Sequence, residues 1–178
     1  MRGPIAAAVA FALLAACQSM TGQSTTEQGP RATAVLEPTK GSKTFGEATF
    51  EQVGADRVQV VVNVQGLKPG QQHGFHIHEV GDCSSGDGMS TKGHFNPAGK
   101  PHGNASSGEH HAGDLPVLQA DKSGRAKLDA TVSGITVAPG PASIVGRGLI
   151  VHADPDDFKT QPTGNAGARI ACGVIKPG

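Results

Sequence analysis

The sequence predicts an all-β fold, a sandwich or barrel of eight short antiparallel strands. Three observations carry that expectation. Apolar residues recur with period two in the best-marked segments, which turns one face of each toward a core. No segment reads as an amphipathic helix. Glycine and proline number 26 and 12 among 178 residues while Trp and Tyr are absent, a mixture suited to many turns between short strands.

The first residues stand apart from that fold. Arg2 precedes an apolar run, Ile5 to Ala16, whose length suits the apolar region of a signal peptide and is too short to span a bilayer. It ends in Leu14-Ala15-Ala16-Cys17, which resembles a bacterial lipobox, where the Cys is acylated and becomes the mature N-terminus. Residues 1–16 are therefore expected to be a lipoprotein-type signal peptide and Cys17 the lipidated residue. The alternative is an ordinary secretory peptide cut nearby, with Cys17 incidental. Either way the protein leaves the cytoplasm for the periplasm or cell envelope. Gln18 after Cys17 points to the outer membrane, by resemblance to lipoprotein sorting. Gln18 to Pro30 is polar and without apolar periodicity, so residues 17–30 read as the lipidated end and a flexible linker. The folded domain is expected over 31–178.

Within it, Val58, Val60, Val62 and Val64 share one face of a strand. Ala126, Leu128, Ala130 and Val132 alternate with Lys127, Asp129 and Thr131, and Asp121-Lys122-Ser123-Gly124 supplies turn chemistry just before them. Further strands are expected at 31–37, 43–52, 74–80, 115–120, 147–153 and 168–175. Two stretches break the pattern, Gly81 to Asp114 and Ala153 to Gly167. Loops of such length inside one domain are usually functional or disordered. The first contains His94, His102, His110 and His111, half of the chain's 8 histidines, which argues for function.

Charge narrows the partners. Lys plus Arg is 15 and Asp plus Glu is 15, so the formal charge is zero. That balance argues against a nucleic-acid partner and against electrostatic docking on a membrane. Any attraction of a charged substrate must be local. Setting Cys17 aside leaves Cys83 and Cys172 in a chain bound for an oxidising compartment, where one disulfide is the economical reading. Closing that long loop would stabilise the fold by about 4–5 kcal/mol at most. Two free buried thiols are the alternative.

The chemistry lies in the histidines. In His76-Ile77-His78, positions two apart on a strand project together, while Phe75 and Ile77 face the core. Two adjacent imidazoles make half of a copper or zinc site. His94, His102, His111 and Asp114 follow along one loop, and three nitrogens with one carboxylate form a four-coordinate zinc shell. Leu149-Ile150-Val151-His152 then puts a histidine at the end of an apolar strand, a candidate fourth ligand for the first metal.

Three longer segments now agree with one family in order. Gly74-Phe75-His76-Ile77-His78-Glu79 resembles the copper-strand signature of the copper/zinc superoxide dismutases. Gly93-His94-Phe95-Asn96-Pro97 resembles their bridging-histidine segment, and Gly164 to Gly173 their C-terminal signature. The resemblance implies an eight-stranded Greek-key barrel with its site on the outer face. It implies copper on His76, His78, His94 and His152, and zinc on His94, His102, His111 and Asp114. His94 would be shared as an imidazolate, with the metals roughly 6 Å apart. Asp156 resembles the carboxylate that accepts hydrogen bonds from His76 and His102, and Arg169 the arginine that attracts and orients a small anion. His73 matches no ligand position and reads as structural, and His110 as surface. A Cys83–Cys172 bridge would tie the metal loop to the strand of Arg169.

The activity implied is dismutation of superoxide, two superoxide ions and two protons giving dioxygen and hydrogen peroxide. His94 would release copper on reduction, take up a proton and supply it to the product. The alternatives are a copper-binding or buffering protein of the same fold, a copper-only enzyme and a metal-free structural domain. The full ligand set and Arg169 argue against all three. Cys83 sits close after His78, as in the bacterial branch. The segment 157–167 is short, with Lys159 its only cation, so the steering charges of the animal enzymes do not transfer. Lys92, Lys100 and Lys159 are the candidates left. Dimer interfaces differ between branches, so a homodimer is compatible with the resemblance, and membrane contact is expected through the lipid alone.

Overall fold

Alternation in sequence becomes alternation in burial. The computed structural model describes residues 29–178, with Met1 and Gly3. The remainder of the expected signal peptide, Cys17 and most of the linker lie outside the described residues. Strand β1 (Arg31–Pro38) buries Ala32, Ala34 and Leu36, β2 (Phe45–Gly54) buries Ala48 and Phe50, and β3 (Arg57–Gln65) buries all four of its even-numbered valines. β4 (Gln72–His73) and β5 (Phe75–His78) follow, then β6 (Leu118–Gln119) and β7 (Ala126–Ser133). The chain ends in β8 (Gly148–His152), β9 (Arg169–Val174) and β10 (Lys176–Pro177).

The strands pair antiparallel in the order β5-β8-β9-β1-β2-β3-β7, with β10 beside β1. β3 hands the chain across to β4 and β5, and β7 returns to pair with β3, a Greek-key connection. A short β4–β6 ladder and the tight turn from Asp121 to Arg125 link the two outer strands, so the sheet curls into a barrel. β1 takes part in both halves. Arg31 to Leu36 pair with β2, whereas Glu37 and Pro38 pair with Cys172 and Ala171 of β9. The core fills the enclosed space with Val, Leu, Ile, Phe50 and Phe75.

The expected eight strands are present, with changed ends. The strand foreseen at 74–80 runs only from Phe75 to His78, and β4, which was not foreseen, is set apart from it at Gly74, whose N–H donates to Asp154 and whose carbonyl accepts from His152. A Cβ at Gly74 would lie 2.7 Å from that of Ala166, which explains the glycine. The strand foreseen at 115–120 shrinks to β6, since Pro116 lacks a ladder donor. β10 has no apolar alternation and escaped the pattern. The long loop holds one 3-10 turn, Met89–Thr91. The disulfide joins Cys83 to Cys172 with Cα atoms 5.9 Å apart. Among the described residues no helix is long and apolar enough to cross a membrane.

Candidate metal centre

β5 carries the first two imidazoles. Phe75 and Ile77 point into the core and are fully buried, so His76 and His78 take the opposite face. That face is buried as well, because the long loop lies across it. Phe95 N–H donates to the Ile77 carbonyl and Ile77 N–H to Gly113, while His78 bridges His94 and His76 bridges Asp114. A Cβ at Gly113 would collide with the Ile77 carbonyl, so only glycine permits this approach. β8 pairs with β5 and brings His152 alongside. An irregularity against β9 between Val151 and His152 re-aims that side chain and sets it opposite Arg169. His152 is accordingly buried under loop rather than turned to solvent.

Among the described residues, the buried side-chain nitrogens and oxygens without a hydrogen-bond partner are all imidazole nitrogens. Four of them are His76 Nδ1, His78 Nε2, His94 Nε2 and His152 Nε2. One ligand atom from each of these residues lies within 4.8 Å of the other three. Their opposite nitrogens are engaged. His76 Nε2 donates to Asp156 at 2.7 Å, His78 Nδ1 to the Lys92 carbonyl at 2.8 Å, and His152 Nδ1 to Gly167 at 3.2 Å. A nitrogen donating to an oxygen carries the proton, which leaves the other a bare lone pair. Burying such atoms unpaired is costly, and a cation would satisfy all four at once.

His94 turns its second nitrogen to another group. Asp114 Oδ1 lies 2.8 Å from His94 Nδ1, 3.1 Å from His102 Nδ1 and 3.4 Å from His111 Nδ1. These four residues also offer ligand atoms within 4.8 Å of one another. Asp114 Oδ2 is held by the N–H groups of Gly103 at 3.1 Å and His111 at 2.9 Å, so Oδ1 is aimed inward. Three nitrogens and one oxygen suit a tetrahedral zinc ion. His94 thus belongs to both groups.

Asp156 connects them further, accepting from His76 through Oδ2 and from His102 Nε2 through Oδ1 at 2.9 Å. Gly164 stands against that carboxylate at φ +67°. A Cβ there would overlap Asp156 Oδ1 and lie 2.5 Å from His102 Nε2. Burial opposes charge on both carboxyls, yet hydrogen bonds from the histidines outweigh it and hold Asp114 and Asp156 well below the usual carboxylate range. Desolvation lowers His76 to about 4 and pushes His78 and His152 down as well. Burial also works against His102, but its bonds to Asp114 and Asp156 prevail and raise it to about 9.

Arg169 is half-buried with its guanidinium spread over three acceptors, Gly88 O at 2.7 Å, Thr91 Oγ1 at 2.9 Å and Lys92 O at 2.6 Å. His73 is structural as expected, with Nδ1 on the His152 carbonyl at 2.8 Å. His110 is half-buried rather than on the open surface, held by the His111 carbonyl at 2.7 Å. Lys92, Lys100 and Lys159 are all exposed. Sequence reasoning missed Gln161, whose amide clamps the His102 backbone, accepting its N–H at 2.8 Å and donating to its carbonyl at 3.0 Å. It also missed Thr91 as a partner of Arg169. Neither residue type nor spacing signals such contacts.

A family model described as copper/zinc superoxide dismutase matches residues 44–175. Among solved structures, the crystal structure of the clock protein EA4 is similar, 40% identical with a TM-score of 0.74. The likeness covers 82% of this chain and 93% of that one. The family match spans most of the sequence and takes in every residue of both histidine groups. This chain therefore belongs to the copper/zinc superoxide dismutase family.

Proposed function

We propose that the protein dismutates superoxide, holding copper on His76, His78, His94 and His152 and zinc on His94, His102, His111 and Asp114. The observation that supports it most is the pair of buried groups meeting on the two nitrogens of His94. When bound, copper supplies reversible one-electron chemistry, and redox-silent zinc fixes the loop and the basicity of His94. The remaining work falls to the chain's own residues. Arg169, cradled by Gly88, Thr91 and Lys92, presents a fixed positive charge to a small anion beside His152. His94 Nε2 is the site for the proton that the peroxide product requires. Asp156 keeps His76 and His102 in the tautomers that offer Nδ1.

A second reading is a copper-holding or buffering protein, since the fold is shared with a protein named for a clock rather than for dismutation. A carrier has no use for an arginine facing the histidine group. Superoxide decay measured by pulse radiolysis separates the two. Fully loaded protein should accelerate decay, and Arg169→Ala should slow that decay at unchanged metal content. Full occupancy without acceleration would sink the enzymatic reading. The leader ending at Cys17 supports a lipid anchor and a place in the periplasm, on the outer membrane.

A further inference from the structure

Thr91 closes the 3-10 turn beside the site and is fully buried. Its hydroxyl donates to the Gly88 carbonyl at 2.8 Å, accepts from Arg169 Nη1 at 2.9 Å and lies 3.2 Å from His78 Nδ1. One proton and two lone pairs are all that a hydroxyl has, so these three neighbours use its full capacity. The Lys92 carbonyl repeats the arrangement, accepting from Arg169 Nη2 at 2.6 Å and from His78 Nδ1 at 2.8 Å. Arg169 and His78 therefore share two acceptors on consecutive residues. Lys92 adopts φ 61°, a strained value for a residue with a side chain, and strain of this kind persists only where its surroundings enforce it.

The methyl group of Thr91 decides where the hydroxyl points. A β-branched side chain has few χ1 choices. The methyl lies over Gly148, the first residue of β8, where an added Cβ would be 2.8 Å from it. Gly148 thus leaves the space that the methyl fills, and the strand bearing His152 sets the Thr91 rotamer.

We propose that Thr91 is a positioning residue whose hydroxyl joins Arg169 to His78 and so fixes where an anion meets the first histidine group. The proposal deepens the function argued above and rests on it. Without the Thr91 hydroxyl, Arg169 would keep Gly88 through Nη1 and the Lys92 carbonyl through Nη2, but lose one of its two links to His78. Thr91→Val preserves shape and removes the hydroxyl, and Thr91→Ser returns it.

The test titrates copper- and zinc-loaded wild type, Thr91→Val and Thr91→Ser with azide, followed by the copper absorption bands. Metal content is measured on the same samples. The azide dissociation constant should rise about tenfold in Thr91→Val, as expected for losing one hydrogen bond to a charged group. Metal content should be unchanged, and Thr91→Ser should recover most of the affinity. In the metal-free proteins, NMR signals of the Arg169 guanidinium should report faster rotation in Thr91→Val than in the other two. Equal azide affinity in wild type and Thr91→Val would overturn the proposal. So would a Thr91→Ser protein as impaired as Thr91→Val, which would make Thr91 a packing residue only. A wild type that takes up no copper would instead refute the proposed function, and the guanidinium measurement would still decide whether Thr91 places Arg169.

Discussion

Each imidazole of the first group is held by one nitrogen and offers the other, and the holding partners are what make the bare atoms point one way. Asp156 has the largest share, since its two oxygens fix one ring in each group. Asp156→Asn leaves one oxygen and an amide donor where two acceptors stood, so one ring must lose its partner or change tautomer. Metal affinity should fall about 10–100-fold, measured by competition with a chelator. Undiminished retention would show that the rings hold their orientation without it. Gly164 guards the same carboxylate. Gly164→Ala would impose a left-handed backbone on alanine and drive its Cβ into Asp156 and His102. Unfolding in denaturant should show a loss of about 1–3 kcal/mol, with metal retention reduced in parallel. Full stability there would mean that the loop yields at little cost.

At the scale of elements, two irregular segments are pinned to a regular frame. The disulfide fastens the start of the long loop to β9, three residues beyond Arg169. The same loop supplies Gly88, Thr91 and Lys92 to the arginine, so the bridge stabilises both ends of that contact. Cys83→Ser should lower unfolding free energy by up to about 4–5 kcal/mol and also lower activity at equal metal content. A stability loss with activity intact would show that the arginine cradle stands without the bridge. The frame was legible in the sequence where a core imposes period two, as in the valines of β3 and the alternation of β7. It was less legible where other constraints rule, as at Gly74, which lies between β4 and β5 with Ala166 too close for a side chain, and at Pro116, which shortens β6. The histidine groups were legible because their side chains bear the chemistry. Gln161 and Thr91 were not, because they act on the backbone of His102 and on Arg169 through folds of the loop that no spacing encodes.

At the scale of the whole molecule, the barrel presents one wall, β5, β8 and β9, as a rigid platform, and the two loops complete the site upon it. Sites carried on strands are placed more closely than sites on loops alone. Here His76, His78 and His152 come from strands, while the loop contributes the shared ring and the second group. A neutral chain with a local arginine needs no global field to draw a small anion, and its proposed tether would fix location without electrostatic help. Cys17→Ala should move the protein from the membrane fraction to the soluble periplasmic fraction, whereas an unchanged distribution would remove the lipid anchor. The claim on which all of this depends is that one imidazole serves two metals. Anomalous X-ray diffraction at the copper and zinc edges, from crystals of loaded protein, tests it directly. A copper peak is expected at Nε2 of His94 and a zinc peak at its Nδ1. A single metal at that ring, or two metals that leave His94 unbound, would contradict it.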